Sequence, residues 1–449
     1  MSIFINFITL IVLRARMAID GVAALFQVGA AVLSAKGDGL KAKAAAAFAE
    51  PRLQRIALRA LRAFLPNLVL SRQFIGAYPN TGTAIVTRYQ DVVEVLDRNA
   101  DFEVVYEPKM RAITGGENFF LGMQDTALYT RDVSNMRLAM RRDDVPTIVA
   151  PLARGLAGQI LAKTSSRMDV PKDLSLPVPT AIVTDYFGID NALADDLVAW
   201  STLMFWYLFV DLAGDAALDR RALDAAAACR SAIDAAIAAR KASGEAKDDV
   251  LGRCLVLQKA NLPGMDDLGI RNNLIGLVIG AIPTISKACV QALEQLLDRP
   301  EALASAQAAA RAGDDPLVAA HVFEAFRFNP INPLIYRRAA HDAKIAAGTL
   351  RARNIPKGTM VLAVNLSAMF DPLRIEAPES FRTDRPWGEY MLWGYGMHAC
   401  FGAHINRAVI PAILKPLLVK PGLRRAAGDA GGIDCGGTPF PQHFSVEWG

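Results

Sequence analysis

From Leu274 to Ser286 the chain reads Leu-Ile-Gly-Leu-Val-Ile-Gly-Ala-Ile-Pro-Thr-Ile-Ser, without a single charge, and no Asp or Glu occurs between Leu268 and Gln291. A helix that is apolar on every side belongs in a core, not on a surface. Asp266 and Asp267 supply an N-cap and a first turn. A helix from there to about Leu297 would stretch roughly 45 Å at about 1.5 Å per residue. Such a rod needs other elements packed around it, and the 52% of hydrophobic residues provide the material for a large core. Pro283 sits mid-run; it has no N–H and its ring crowds the carbonyl of Ile279, so the spacing predicts a kink.

The second constraint is chemical. Residues 393–408 read Trp-Gly-Tyr-Gly-Met-His-Ala-Cys-Phe-Gly-Ala-His-Ile-Asn-Arg-Ala. Cys400 lies among Gly394, Gly396 and Gly402, with Gly388 further back, and a helix-compatible apolar run follows. Glycines let the backbone turn sharply and bring its N–H groups to the sulfur. The positive end of a helix beginning just after Cys400 favours thiolate over thiol. A zinc site from His398, Cys400 and His404 is the alternative, but no further ligand lies near in sequence.

The loop resembles the haem-binding loop of the cytochrome P-450 family. Trp393, Gly396, His398, Cys400 and Gly402 stand at the family's offsets, with Trp393 in place of the usual phenylalanine and His398 in place of arginine. The resemblance implies haem b with Cys400 as the iron ligand and Trp393, Gly394 and Gly402 around it. It extends to the uncharged rod, which is similar to the family's central helix. There Gly280, Ala281, Pro283 and Thr284 fall on a motif whose acid precedes the threonine, and Pro283 takes the acid's place. Glu324 and Arg327 are three apart on a predicted helix and able to pair. The resemblance makes Arg385 their third member, with Arg382 the alternative. It assigns Arg337 (or its neighbour Arg338) and Arg137 to the haem propionates. Pro411 and Pro416 are expected to interrupt the helix after Cys400.

The implied fold is mainly α with a smaller β-rich lobe (α+β). Residues 1–45 are expected to form an N-terminal extension and 46–449 a single haem-thiolate domain. The apolar runs 2–13 and 21–33 are separated by Arg14 and Arg16 and each falls short of the roughly 20 residues of a spanning helix. They predict a pair of interfacial or self-packing helices, with peripheral membrane contact through residues 1–35 of an otherwise cytoplasmic protein. From Pro51 to Leu65, apolar residues (Leu53, Ile56, Ala57, Ala60, Phe64) and arginines (Arg52, Arg55, Arg59, Arg62) share the helical period on different faces.

A net charge of +4 without a basic stripe argues against nucleic acid as a partner. Five scattered cysteines without CxxC spacing argue against a disulfide framework. The function implied by the resemblance is a monooxygenase acting on a small apolar or fatty substrate, reduced by a ferredoxin-type donor. The missing acid leaves two alternatives open: a peroxide-dependent peroxygenase or lipid hydroperoxide isomerase, and a non-catalytic haem or ligand carrier.

Overall fold

The computed structural model describes residues 2–48 and 50–449. Contacts along the backbone divide the chain into two units interleaved in sequence: the first comprises Met1–Ile75, Pro79–Glu103 and Phe326–Ala399, the second Gly76–Tyr78, Val104–Ala325 and Cys400–Gly449.

The first unit is built on a five-stranded sheet in the spatial order Asn67–Leu70, Gly82–Val86, Thr359–Ala363, Ile335–Ala339, Phe102–Glu103. Gly82–Val86 and Thr359–Ala363 pair in parallel, with Ala84 opposite Val361; the other pairings are antiparallel. All five residues of Thr359–Ala363 are buried, as a strand covered on both faces must be. A short hairpin, Ala343–Ile345 with Arg353–Ile355, stands apart from this sheet.

The N-terminal segment departs from expectation. Ser2–Ser34 is one continuous helix, not a pair. Its stretch Ile11–Ser34 is long and apolar enough to cross a membrane, and only 17% of its most apolar 18-residue window is buried. It packs along the helix Pro51–Phe64. On that second helix Arg55, Arg59 and Arg62 reach partners in the protein, while Arg52 is exposed. Arg55 donates to the Phe328 carbonyl at 2.7 Å, Arg62 to the Ser367 carbonyl at 3.0 Å and its hydroxyl at 2.9 Å, and Arg59 pairs with Glu379 at 2.7 Å. The buried Arg62 and the half-buried Arg55 hold these distant main-chain oxygens, whereas Phe64 is left exposed.

The second unit is helical around the rod Asp267–Leu297, capped by Asp266, whose carboxylate accepts from the Gly269 N–H at 2.8 Å. Ala194–Phe205, Ala216–Ser243 and Ala403–Leu418 all pack on it. It has the length and hydropathy of a membrane span, but its sides are buried in protein, so it serves as core. Each fully buried Ile or Leu on it contributes about 1.5–3 kcal/mol. The helix passes through Pro283 without a break, and Ala403–Leu418 likewise runs through Pro411 and Pro416, where interruption was expected. Burial on several sides offsets the roughly 3 kcal/mol that an internal proline costs.

Candidate functional site

The thiolate loop crosses from one unit to the other: residues up to Ala399 belong to the first and Cys400 onward to the second. In the first unit, Gly394 and Gly396 adopt left-handed φ values of 86° and 68°. A Cβ on Gly396 would lie a tight 3.2 Å from the Leu96 carbonyl oxygen, so the left-handed dihedral favours glycine there and the close approach adds to it. Trp393 stacks at a tilt on Trp387 with centroids 5.4 Å apart.

A 3₁₀ turn then presents His398. Burial, and then the positive charge of Arg337, push this imidazole down to about 4, so the ring is neutral at pH 7. Arg337 is buried on Ile335–Ala339, where its Nη1 donates to the Tyr336 carbonyl at 2.8 Å. Strand alternation sends Arg338 to the other face, where its Nε donates to Glu103 at 2.8 Å. Of the two candidates, Arg337 is therefore the one whose charge acts on His398, and one buried guanidinium beside a neutral imidazole donor suits a carboxylate guest.

In the second unit Cys400 is exposed, yet protein crowds it closely enough that burial pushes its thiol up, opposed by the Gly402 N–H. Gly402 has an ordinary φ of −82°, and a Cβ there would meet only the Cys400 Sγ, at 3.9 Å. Nothing in the polypeptide demands glycine at this position. What it provides is room beside the sulfur, where a planar group can lie. Gly402 is also the N-cap of Ala403–Leu418, whose positive end meets the sulfur's loop.

Phe401 packs 5.1 Å from Phe120 and has His404 6.5 Å away at its edge. His404 was not singled out by spacing except for zinc. Burial lowers its pKa, as do Arg142 and Arg137. Its Nε2 is buried with no hydrogen-bond partner among the described residues. Among those residues no group of three or more His, Cys, Asp or Glu is placed to hold a metal ion, so the zinc alternative lacks a ligand set. Arg137 is exposed in the last turn of Ala127–Ala139.

The central helix shows where space remains. Between Ile270 and Leu297, Gly280 alone is exposed; a Cβ on it would meet nothing within 4 Å, and Ala281 is half-buried. One turn on, the Thr284 hydroxyl donates to the Gly280 carbonyl, with the Ala281 carbonyl at 3.4 Å. Pro283 cannot donate to Ile279 O, so that carbonyl loses its usual helical partner.

Glu324 and Arg327 are fully buried on Asp315–Phe328. Arg327 donates to the Met369 and Pro378 carbonyls at 3.0 and 2.8 Å and reaches the Ser380 carbonyl at 3.4 Å. Arg385 donates to the same Ser380 oxygen at 2.9 Å, to Glu376 O and Ala377 O at 2.8 Å each, and to the Glu389 carboxylate at 3.3 Å. The alternative, Arg382, is on the surface with Asp384 and Glu376. Arg385 and Arg327 thus meet at one main-chain oxygen.

Comparison with known proteins agrees with this geometry. The family model described as Cytochrome P450 matches residues 77–420. A linoleate diol synthase of Gaeumannomyces graminis is 37% identical over 87 residues, 19% of this chain but only 8% of that much longer protein. A steroid C26-monooxygenase of Mycolicibacterium smegmatis is 25% identical over 361 residues, covering 78% of this chain and 83% of that one. The crystal structure of CalO2 superposes with a TM-score of 0.73 at 20% identity, over 89% of this chain and 96% of that one. With a family match that covers most of its length, the chain belongs to the cytochrome P450 family.

Proposed function

We propose that this chain is a haem-thiolate monooxygenase that binds haem b through Cys400 and inserts oxygen into a small apolar or fatty substrate. The observation that carries the reading is the Cys400 sulfur: accessible, crowded, at the head of a helix, with clear space at Gly402 beside it. When bound, haem supplies the iron at which oxygen is activated. Arg337, His398 and Arg137 hold the propionates, Arg337 from its buried strand position and His398 as a neutral donor. Trp393 and Gly394 shape the loop before the sulfur. Glu324, Arg327 and Arg385 support that loop from behind and take no part in the chemistry.

On the opposite side, Gly280 and Ala281 leave room for substrate over the central helix. Pro283 leaves the Ile279 carbonyl to accept from water or a substrate hydroxyl, and Thr284 is the nearest hydroxyl for passing a proton. The relatives named for steroid and linoleate chemistry support an apolar, lipid-like substrate. The electron donor in this reading is a ferredoxin-type protein, and the protein works in the cytoplasm with its N-terminal helix touching a membrane.

A second reading, use of a peroxide as oxidant, is favoured by the proton path. The Thr284 hydroxyl turns back onto Gly280 O, and no Asp or Glu lies between Leu268 and Gln291 to relay protons. The test is the spectrum of the reduced, CO-bound protein, followed by turnover. Cys400→Ser loses the red-shifted Soret band while Cys435→Ser retains it. Reductant-dependent product then supports the monooxygenase, and product from peroxide alone supports the second reading. Haem binding with no product under either condition overturns both and leaves a carrier.

A further inference from the structure

The first unit contains a second concave site that the haem reading does not use. A cavity of about 580 Å³ opens where the N-terminal helix meets Pro51–Phe64 and the loop of the Ala343–Ile345/Arg353–Ile355 hairpin. Five arginines line it, Arg14, Arg62, Arg88, Arg351 and Arg353, and no carboxylate does. Two of them are matched from behind: Arg351 makes a fork on Asp91, both bonds 2.9 Å, and Arg88 pairs with Asp371 at 3.1 Å. The other three are not matched by charge. Arg62 is held by the neutral groups of Ser367, Arg353 donates to the Ala352 carbonyl at 2.8 Å, and Arg14 makes no ion pair among the described residues.

The electrostatic consequence follows from burial. Desolvation pushes Arg62 down to about 10, and Arg88 and Arg59 add their repulsion while Asp371 and Glu379 oppose it. Arg88 is lowered by burial too, Asp371 and Asp91 opposing this while Arg351 and Arg14 push further down. An anion entering the cavity would offset the repulsion left among the arginines that line it, and guanidinium forks bind phosphate oxygens in pairs.

The surroundings indicate what carries that anion. Leu350, on the cavity wall, is 95% exposed, and Phe64 beside it is 43% exposed. The N-terminal helix, which contributes Arg14, exposes Ile11, Val12, Ile19, Leu25, Phe26 and Leu33. Apolar side chains bared around a cationic pocket match a lipid leaflet, with acyl chains meeting the former and headgroups the latter. We infer that this arginine-lined cavity binds the phosphate of anionic phospholipid headgroups and seats the first unit on a membrane surface. The inference rests on the geometry of this unit and stands independently of the haem assignment.

The test uses full-length holoprotein and flotation with phosphatidylcholine vesicles, with and without phosphatidylglycerol. A contribution of about 1 kcal/mol per basic residue corresponds to about fivefold in partition, so Arg14→Gln/Arg353→Gln should lower binding to the anionic vesicles roughly 25-fold. Both residues are exposed, so the fold is preserved. Arg220→Gln/Arg221→Gln, which removes the same charge from an exposed stretch of Ala216–Ser243, should leave partition nearly unchanged. Equal binding to both vesicle types, or equal losses in the two double variants, overturns the site. Phosphorus-31 line broadening of inorganic phosphate without vesicle binding overturns the lipid assignment. The CO-difference spectrum of the same samples separates the two proposals: a normal spectrum without partition refutes this one and leaves the haem reading standing.

Discussion

Arg385→Leu removes a cation that is 1% exposed and donates to three main-chain carbonyls and to Glu389. Leucine replaces the stem but strands the largely buried Glu389 carboxylate without this cation, which costs about 3–5 kcal/mol when a buried pair is broken. Each carbonyl also loses a charged donor, about 1.5–3 kcal/mol apiece if water does not replace it. These losses are not additive, because relaxation that rewets one group rewets its neighbours; about 5 kcal/mol in total is the expectation. That is comparable with the whole stability of a marginal domain, about 5–15 kcal/mol. Arg385→Lys keeps the charge but not the fork and should lose about half as much. Urea unfolding followed by tryptophan fluorescence reads the effect, since Trp387 and Trp393 pack against each other in the adjoining loop. The surface control Arg382→Gln should leave the midpoint where it is. A loss below about 1 kcal/mol for Arg385→Leu, or a larger loss for the control, refutes the assignment of support to Arg385.

Three further outcomes follow from the same structure. Pro283→Asp supplies the absent acid next to Thr284 and should raise reductant-driven turnover at least about tenfold while leaving peroxide-driven turnover alone; no change counts against a proton-limited site. Lys109→Met leaves Asp211 without the ammonium at 3.1 Å and should cost about 3 kcal/mol in a urea titration, tempered by the N–H groups of Gly214 and Asp215 that the carboxylate keeps. Burial alone would raise the Asp211 pKa, but Lys109 and those N–H groups win and hold it below the usual 3.8. A depressed carboxyl stabilises the fold above its unfolded pKa, so in the wild type this contribution is lost only as pH falls from that value through the folded pKa; in Lys109→Met the folded pKa rises towards the unfolded one, and stability should fall less on acidification.

The core and the thiolate loop were legible because their signals are local. An uncharged run of this length has no place except a core, and Asp266 marks its start as the structure has it. Gly394 and Gly396 announce turns that their dihedrals then require. What could not be read depends on partners far away in sequence. Arg14 and Arg16 look like interruptions, but propensity alone does not break a helix that packs along Pro51–Phe64. Periodicity divides Pro51–Phe64 into an apolar and an arginine face without saying that Arg55, Arg59 and Arg62 find partners in the protein, because their acceptors lie at Phe328, Ser367 and Glu379. Prolines at 411 and 416 read as breaks because their cost is intrinsic, whereas the burial that offsets it is tertiary. The choice of Arg385 over Arg382 likewise needed the carbonyls of 376–380 in three dimensions.

Gly280 carries an evolutionary consequence. On a rod whose other positions are gripped by neighbours, it is the place where a methyl group touches nothing. With Gly280 bordering the substrate as proposed, substitution to alanine or valine there would shrink the guest space in graded steps without disturbing what keeps the protein folded. Selection for a shorter or slimmer guest therefore has a route of single-codon changes, at a residue insulated from the stability threshold that constrains most of the core.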